Sequence, residues 1–553
     1  MANWSDSNEP MTGSRIWQWI DATILDLGRQ MHWSYVPPLL VYLAAGVSGL
    51  TSIVGTFFIK EYLGLSAAFI AGLAFWTGIP WVLKMPLGHL VDLIWRWKAL
   101  LVYLGAVLIA LSIGIMYGLI AHASWMSQFL SIETWFVVSA LLAPTGYVVQ
   151  DVVADAMTVE AVPGVDAGGV PYSEAEIKAK HTTMQTLGRF SIISGLVLVS
   201  ALNIFMFGDV ETLTEAEKAA IYAQIYLLAL AIPVISIAGV SLGALTLRRR
   251  ARRMRKDGVE EEDIQSLLYA PEEETRPNWW ILGGSAVFVA FTLGIGAADL
   301  PYAQEIVLIG SLAIVIFLMQ RLLRELEPAQ RKALIGTAVI IFAFRAVPLP
   351  GPGAVWFEID VLGFDQRFIS ILTLITSALA LVGMVILRPL MATRSIAWVV
   401  VLLTVAAGVL SMPNIGLYYG LHEWTSSWSG GIVDARFIAI LDTAIESPLA
   451  QVAMIPMLAW IAKNAPAHLK ATFFAVMASF TNLALSTASL GTKYLNEIFL
   501  VTREVRDRAS GALEIPADYT ELGWLLISVA LITVIVPLAT VAGVQLSRFR
   551  TRQ

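Results

Sequence analysis

Asp151 and Asp155 stand one helical turn apart in QDVVADAMTVE, Gln150–Glu160, at the end of an otherwise apolar segment. Spacing of i, i+4 puts both carboxylates on one helix face. A carboxylate at membrane depth costs about 2.5–3.5 kcal/mol on insertion scales, so a pair of them implies a solute, a coupling ion or both. A second pair, Asp442 and Glu446 in LDTAIESPLAQ, repeats the spacing far along the chain. Two carboxylates so close resist double ionisation where water is scarce, so one of these four acids is expected to carry a proton. For Asp442 and Glu446, a structural role holding Arg436 or a nearby hydroxyl stays open.

The surroundings exclude most other chemistry. Of 553 residues, 57% are hydrophobic and only 14% charged, which describes a polytopic membrane protein and leaves little aqueous domain for an enzyme. No cysteine is present, which removes disulfides, thiolate metal sites and cysteine nucleophiles. The six histidines show no metal-ligand spacing, no cofactor or nucleic-acid motif appears, and no phosphate-cradling sequence for ATP-driven pumping is found. No catalytic residue is expected.

Apolar segments of about 20 residues give the elements that must position these acids. Spans are expected near 35–58, 66–88, 98–121, 134–160, 184–206 and 221–247, then 279–298 and 301–320, then 333–356, 367–389, 395–412, 432–462, 468–494 and 521–546. The expectation is therefore an all-α protein of fourteen transmembrane helices, grouped six, two and six. Met1–Pro10 is polar and acidic rather than signal-like, and Arg15–Gln30 fits an amphipathic interfacial helix or one docked on the bundle. The expected units are a cytoplasmic segment 1–34, a six-helix half 35–247, a basic-then-acidic linker 248–278, an inserted hairpin 279–322 and a second half 333–547. Positive residues, above all the Arg248–Lys256 tract, place both termini in the cytoplasm. That tract serves topology and lipid headgroups, or else docks a specific partner.

An internal repeat links the two halves. Phe58-Ile59-Lys60-Glu61-Tyr62-Leu63-Gly64-Leu65 aligns with Phe357-Glu358-Ile359-Asp360-Val361-Leu362-Gly363-Phe364, and Phe69-Ile70 then falls on Phe368-Ile369. Two same-topology six-helix halves describe the major facilitator architecture, with a cavity between halves and alternating access. The inserted hairpin is then peripheral to the pathway. Gly88-His-Leu-Val-Asp92 followed by Arg96 and Lys98 resembles the gating motif of that superfamily, which makes Asp92 and Arg96 gating candidates; a plain solvated loop is the other reading of Asp92.

Four stretches together resemble the folate-biopterin transporter family: Phe57–Gly88, Gln150–Glu160, Phe344–Phe357 and His468–Asn482. They carry its Phe-Phe-x-Lys-acid, Pro-Trp-x-x-Lys, Asp-Val-x-x-Asp, Arg-Ala-x-Pro-x-Pro-Gly and Ala-Thr-x-Phe-Ala patterns in the right order, with Met85 intervening between Lys84 and Pro86. The resemblance implies a secondary transporter of a folate- or pterin-like solute; the compact chain, with no targeting peptide expected, suits a bacterial inner membrane. A pterin edge offers two adjacent N–H donors, which one carboxylate of Asp151 or Asp155 accepts as it accepts an Arg fork. Trp76 and Trp81 are candidate stacking platforms, and Lys84, Arg189 and Arg345 are candidate cations for an anionic tail. Each has another reading. Lys84 can snorkel to headgroups, Arg189 can simply neutralise Asp151 or Asp155, and Trp residues are common at interfaces. The broken helix expected at Pro348–Gly353 marks a pathway segment around Arg345. Asn482 either lines the cavity or bonds across helices. The implied partners are a small-molecule solute, protons and membrane lipids, with the protein a monomer. A transporter of another organic anion, and a non-transporting scaffold using the hairpin as a docking surface, remain as alternatives.

Overall fold

The computed structural model describes residues 31–63, 65–82, 84–162, 172–208, 213–269, 277, 279–298, 300–324, 327–387, 394–449, 470–506 and 513–550. The expected interfacial helix at 15–30, the acidic end of the linker and the far half of the 432–462 span lie outside these residues.

Among the described residues the chain is helical apart from one short two-stranded antiparallel ribbon, β1 (Val505–Arg506) with β2 (Leu513–Ile515). Helices α1 (Val36–Val47) and α2 (Ser52–Tyr62) are joined by one 3-10 turn and form the first apolar stretch. Helix α3 (Ala67–Val82) and helix α4 (Lys84–Leu93) follow, then α5 (Lys98–Ala121), α6 (Ile132–Ala161), α7 (Glu174–Phe207), α8 (Glu215–Ala229) and α9 (Ala231–Lys256). Beyond α9 a short helix α10 (Glu261–Tyr269) leads to a hairpin of α11 (Trp279–Ala297) and α12 (Ala303–Leu323). The remainder comprises α13 (Pro328–Arg345), α14 (Pro352–Asp360), α15 (Gln366–Ile386), α16 (Ile396–Tyr418), α17 (Leu421–Ser429), α18 (Ala435–Glu446), α19 (Lys470–Ile498) and α20 (Leu522–Leu546).

Ten helical stretches among the described residues are long and apolar enough to cross a membrane, against the fourteen expected. Two of the differences have clear causes. The 333–356 segment is not one helix, because α13 stops at Arg345 and α14 restarts only at Pro352, with Gly351 at φ +82°. Proline lacks the N–H that a continuing helix would use, and the left-handed conformation at the restart suits glycine. The first hairpin helix offers only a shorter apolar run, Leu282–Gly296.

Helix α5 shows why these segments sit in lipid. Leu104, Val107 and Leu111 are each more than half exposed, whereas Val102, Ala106, Ile109 and Met116 on the opposite face are buried. An apolar outer stripe of this size has no place in water and matches acyl chains. Helices associate in lipid through close packing and polar contacts rather than apolar burial. Accordingly α5 crosses α6 at Gly105 and Gly146, where a Cβ on either glycine would come within 2.7 Å of the other's carbonyl oxygen. Polar contacts reinforce the crossing. Ser112 and Ser139 bond each other's backbone across it, and Gln150 donates to the Val102 carbonyl at 3.1 Å while accepting from Ser236 of α9 at 3.0 Å.

Helix α3 packs along α19, and α7 along α15, so segments distant in sequence share long seams. The hairpin α11–α12 rests on α19, α3 and α4. Gln304 donates to the Gly72 carbonyl at 3.0 Å, and Glu305 accepts from Tyr494 and lies 3.8 Å from Lys493. Gln304 and Glu305 thus tie the hairpin to the bundle.

Candidate functional site

Four elements converge on one charged cluster. Lys84 lies within the apolar α3–α4 stretch, where an unpaired ammonium at membrane depth is costly. Two carboxylates offset this. Lys84 Nζ lies 2.6 Å from Asp151 Oδ2 and 2.7 Å from Asp155 Oδ2, so a single ammonium bridges both acids presented by one face of α6. The other oxygen of Asp155, Oδ1, accepts a 2.6 Å hydrogen bond from the Tyr42 hydroxyl of α1. Tyr42 is buried against α7 at Gly188, where a Cβ would come within 2.8 Å of its ring.

With all three groups charged, the cluster carries one negative charge in excess. Arg189, the neighbour of Gly188, is close enough to act electrostatically on Asp151 and Tyr42. It makes no ion pair within 4 Å with either acid among the described residues, and it is exposed. The Asp155 side chain retains 43% of its exposure against 19% for Asp151, so one carboxylate is offered to an open space and the other is held within the bundle. A partly exposed carboxylate beside a shared ammonium can accept an N–H pair, release the lysine to an anion, or exchange a proton.

The other residues singled out from sequence fall elsewhere. The Asn482 amide donates to the Trp81 carbonyl at 2.9 Å and Ser479 donates to that of Val82 at 2.8 Å, so α19 satisfies carbonyls at the end of α3 just before Lys84. Asn482 therefore bonds across helices. Trp81 is half-buried at that end. The Trp76 ring meets Gly296 of the hairpin and the edge of Phe75, which turns it toward α11. Arg345 is the last residue of α13, at the helix break. The break was expected to open its backbone to the pathway, but Leu349 N–H donates to Thr492 at 2.9 Å and the Pro350 carbonyl accepts from Asn496 at 3.1 Å. Side chains of α19 thus close those two groups.

Asp442 and Glu446 lie on α18, which packs on α15 and α16. Asp442 Oδ2 accepts from Asn414 at 3.3 Å, while its Oδ1 is buried and accepts no hydrogen bond among the described residues. Glu446 ends the helix and is exposed. Arg436 is directed to the Gly363 carbonyl at 2.9 Å and to Asp365 at 3.5 Å. Asp92 lies near the end of α4, and Arg96 is exposed in the turn that follows.

A second polar cluster had no assigned role in the sequence. Lys60 Nζ of α2 lies 2.5 Å from Asp360 Oδ1 of α14, and Tyr519 donates to Asp360 Oδ2 at 2.5 Å. Arg503, only 3% exposed, donates to the carbonyls of Lys60 at 2.6 Å and Leu65 at 2.8 Å and lies 4.6 Å from the Trp356 ring centre. Lys60 and Asp360 come from the aligned repeat segments, which is the signal that could have paired them. Tyr42 had no such signal, because its neighbourhood is uniformly apolar.

The BT1 family model matches residues 45–544, nearly the whole bundle. The chain belongs to the BT1 family. It is similar to the folate-biopterin transporter of Synechocystis sp. (strain ATCC 27184 / PCC 6803 / Kazusa), at 22% identity over 460 residues that cover 83% of this chain and 74% of that protein. Among solved structures, it is similar to the peptide transporter POT with bound alafosfalin (TM-score 0.56, 14% identity, 94% of this chain and 95% of that one). It also resembles the nucleoside transporter NupG (TM-score 0.52, 12% identity, 92% and 99%). At these identities the likeness concerns the fold, which is that of multi-pass transporters. The chain is accordingly a multi-pass membrane transporter of a small organic solute and not an enzyme.

Proposed function

We propose that this chain is a secondary active transporter of a folate- or pterin-like solute, working by alternating access in an inner membrane with both termini cytoplasmic. The observation that carries the reading is the bridging of Asp151 and Asp155 by Lys84. An isolated structural ion pair needs one carboxylate; the second, more exposed one is available to a solute. A pterin edge with its paired N–H donors would engage Asp155, while an anionic tail would draw on Lys84 and Arg189. The name of the Synechocystis relative supports that solute class. The long seams of α3 with α19 and of α7 with α15 support two six-helix halves that rock about a central site, with the hairpin as an insertion.

Coupling is assigned to Asp442 and Glu446, whose one-turn spacing, with Asp442 half-buried, suits a proton carrier. Asp92 and Arg96 remain the gating candidates on the face that carries the basic tract. Uptake of labelled folic acid and of a reduced pterin into proteoliposomes, with and without an imposed pH gradient, tests both statements. Saturable uptake that Asp155→Asn abolishes supports the solute site. Loss of gradient dependence in Asp442→Asn, with exchange retained, supports the coupling site. Uptake of neither compound by the wild-type protein overturns the solute assignment, and uptake indifferent to the gradient overturns the coupling.

A further inference from the structure

Away from the Lys84 cluster, a cavity of about 300 Å³ opens where α1, α6 and α9 meet the turn between α4 and α5. Four cations line it: Arg96 and Lys98 from that turn, and Arg248 and Arg250 from the end of α9. One acid is present, Glu160, and it is committed to Lys98 at 2.9 Å. Lys98 is only 8% exposed and also lies 3.4 Å from the centre of the Trp95 ring, so it forms a neutralised, rigid floor. The three guanidiniums that remain are exposed, and no carboxylate lies within 4 Å of any of them among the described residues. That is not the fate of every cation in the tract, since Arg255 is held by both oxygens of Glu261 at 2.7 and 2.6 Å.

Apart from Ser34 and Thr246 the rest of the wall is apolar, with Pro37, Pro38, Met157, Val240 and Leu247 among its larger side chains. The site therefore presents three unmatched guanidiniums on one side and hydrocarbon on the other. The exposed rings of Trp33 and Trp97, at 87% and 66%, stand beside Ser34 and Arg96 of the lining, and tryptophan concentrates at the headgroup level of a bilayer. Guanidinium is the side chain best shaped to chelate a phosphate oxyanion in bidentate fashion.

We propose that this cavity is a binding site for the phosphate of an anionic phospholipid, held by Arg96, Arg248 and Arg250 with the glycerol and upper acyl chain against the α1–α9 wall. The shared chemistry with a soluble phosphate is the oxyanion. The apolar wall and the flanking tryptophans favour the lipid. The site joins the end of α9 to α1 and to the turn after α4, so an occupied cavity ties three elements together at the membrane surface.

The test compares two triple variants of equal charge change: Arg96→Gln with Arg248→Gln and Arg250→Gln, and Arg249→Gln with Arg252→Gln and Arg253→Gln, which lie outside the cavity lining. Purified proteins are placed in nanodiscs of phosphatidylcholine with or without phosphatidylglycerol, and bound lipid is counted by native mass spectrometry alongside the thermal midpoint. Detergent-purified proteins are titrated separately with inorganic phosphate. The expected result is retained phosphatidylglycerol and a raised midpoint in the wild type and the outer triple. Apparent lipid affinity in the cavity triple should fall on the order of a hundredfold, given the typical contribution of each surface cation. An equal loss in both triples overturns the site in favour of diffuse attraction to the tract. A shift from inorganic phosphate that matches and competes with the lipid overturns the lipid assignment. Absence of retained phosphatidylglycerol in the wild type overturns the proposal outright. If the cavity triple is already less stable in pure phosphatidylcholine, the single variant Arg250→Gln replaces it and must lose about fivefold in lipid affinity where the single variant Arg249→Gln does not.

Discussion

Lys60 and Asp360 form a 2.5 Å ion pair between two segments that align with one another in the internal repeat. Duplicated segments carrying opposite charges at their ends thus close on each other, with Tyr519 holding Asp360 and Arg503 holding the backbone at Lys60 and Leu65. A pair that joins the ends of two helices and still retains 14% and 25% exposure is suited to opening and closing.

The cysteine-free chain makes this testable by labelling. In an Ile359→Cys background, Lys60→Ala or Asp360→Ala is expected to raise the rate of modification by a membrane-impermeant maleimide about fivefold, the worth of a part-exposed ion pair of about 1 kcal/mol. The charge exchange Lys60→Asp with Asp360→Lys should bring the rate back toward the parent value. Rates unchanged in both single variants would show that the pair holds nothing shut.

Tyr42 and Lys84 make separable contributions to the Asp151–Asp155 cluster. Tyr42→Phe removes one hydrogen bond from Asp155 and should lower stability by about 1 kcal/mol. Lys84→Met leaves two acids without their shared cation and should cost about 1–3 kcal/mol at this partly exposed site. Adding Asp151→Asn to Lys84→Met should recover stability without recovering transport. Thermal unfolding in detergent, read beside uptake, checks the sequence of effects; recovery of both together would mean that the cluster is structural only.

Much of this arrangement was readable from residue types. Intramembrane charge is rare enough that Asp151, Asp155 and Lys84 stood out, and apolar run length gave the all-helical, multi-pass character, with ten of the described helical stretches long and apolar enough to cross a membrane. What escaped were relationships that depend on which faces meet. Asn482 has the chemistry of a ligand contact, yet α19 packs so that its amide meets the Trp81 carbonyl. Trp76 has the chemistry of a stacking platform, yet the hairpin helix lies against its ring at Gly296. Arg503, in a segment where acids outnumber bases, gave no sign that it would be buried under Trp356. Local periodicity fixes a helix's apolar character but not its rotation against a neighbour in lipid, where small residues and polar contacts decide.

The break between α13 and α14 depends on α19. Thr492 accepts from Leu349 N–H, and Asn496 donates to the Pro350 carbonyl and to the Thr492 carbonyl. Thr492→Val keeps the volume and removes the acceptor, leaving a backbone donor unsatisfied in apolar surroundings at a cost of about 1–3 kcal/mol. Hydrogen exchange should rise at residues 346–351 while the ends of α13 and α14 stay protected. Exchange unchanged there would show that the segment draws its order from elsewhere.

At the end of α9, Glu261 accepts two hydrogen bonds from Arg255 and one from Gln265, which hold its carboxyl down at about 2 against an ordinary value of 4.5. Because its folded-state value is depressed, the contact contributes fully above pH 4.5 and is lost as pH falls toward 2. The pair is exposed, so the contribution is modest and screened by salt. Spin labels on α9 and α10 should therefore report a fixed separation at neutral pH that broadens through that acidic window, and broadens already at neutral pH in Glu261→Gln or at molar salt. A distance distribution indifferent to both substitutions of condition and of residue would mean that α10 is held by its buried Ile264 alone.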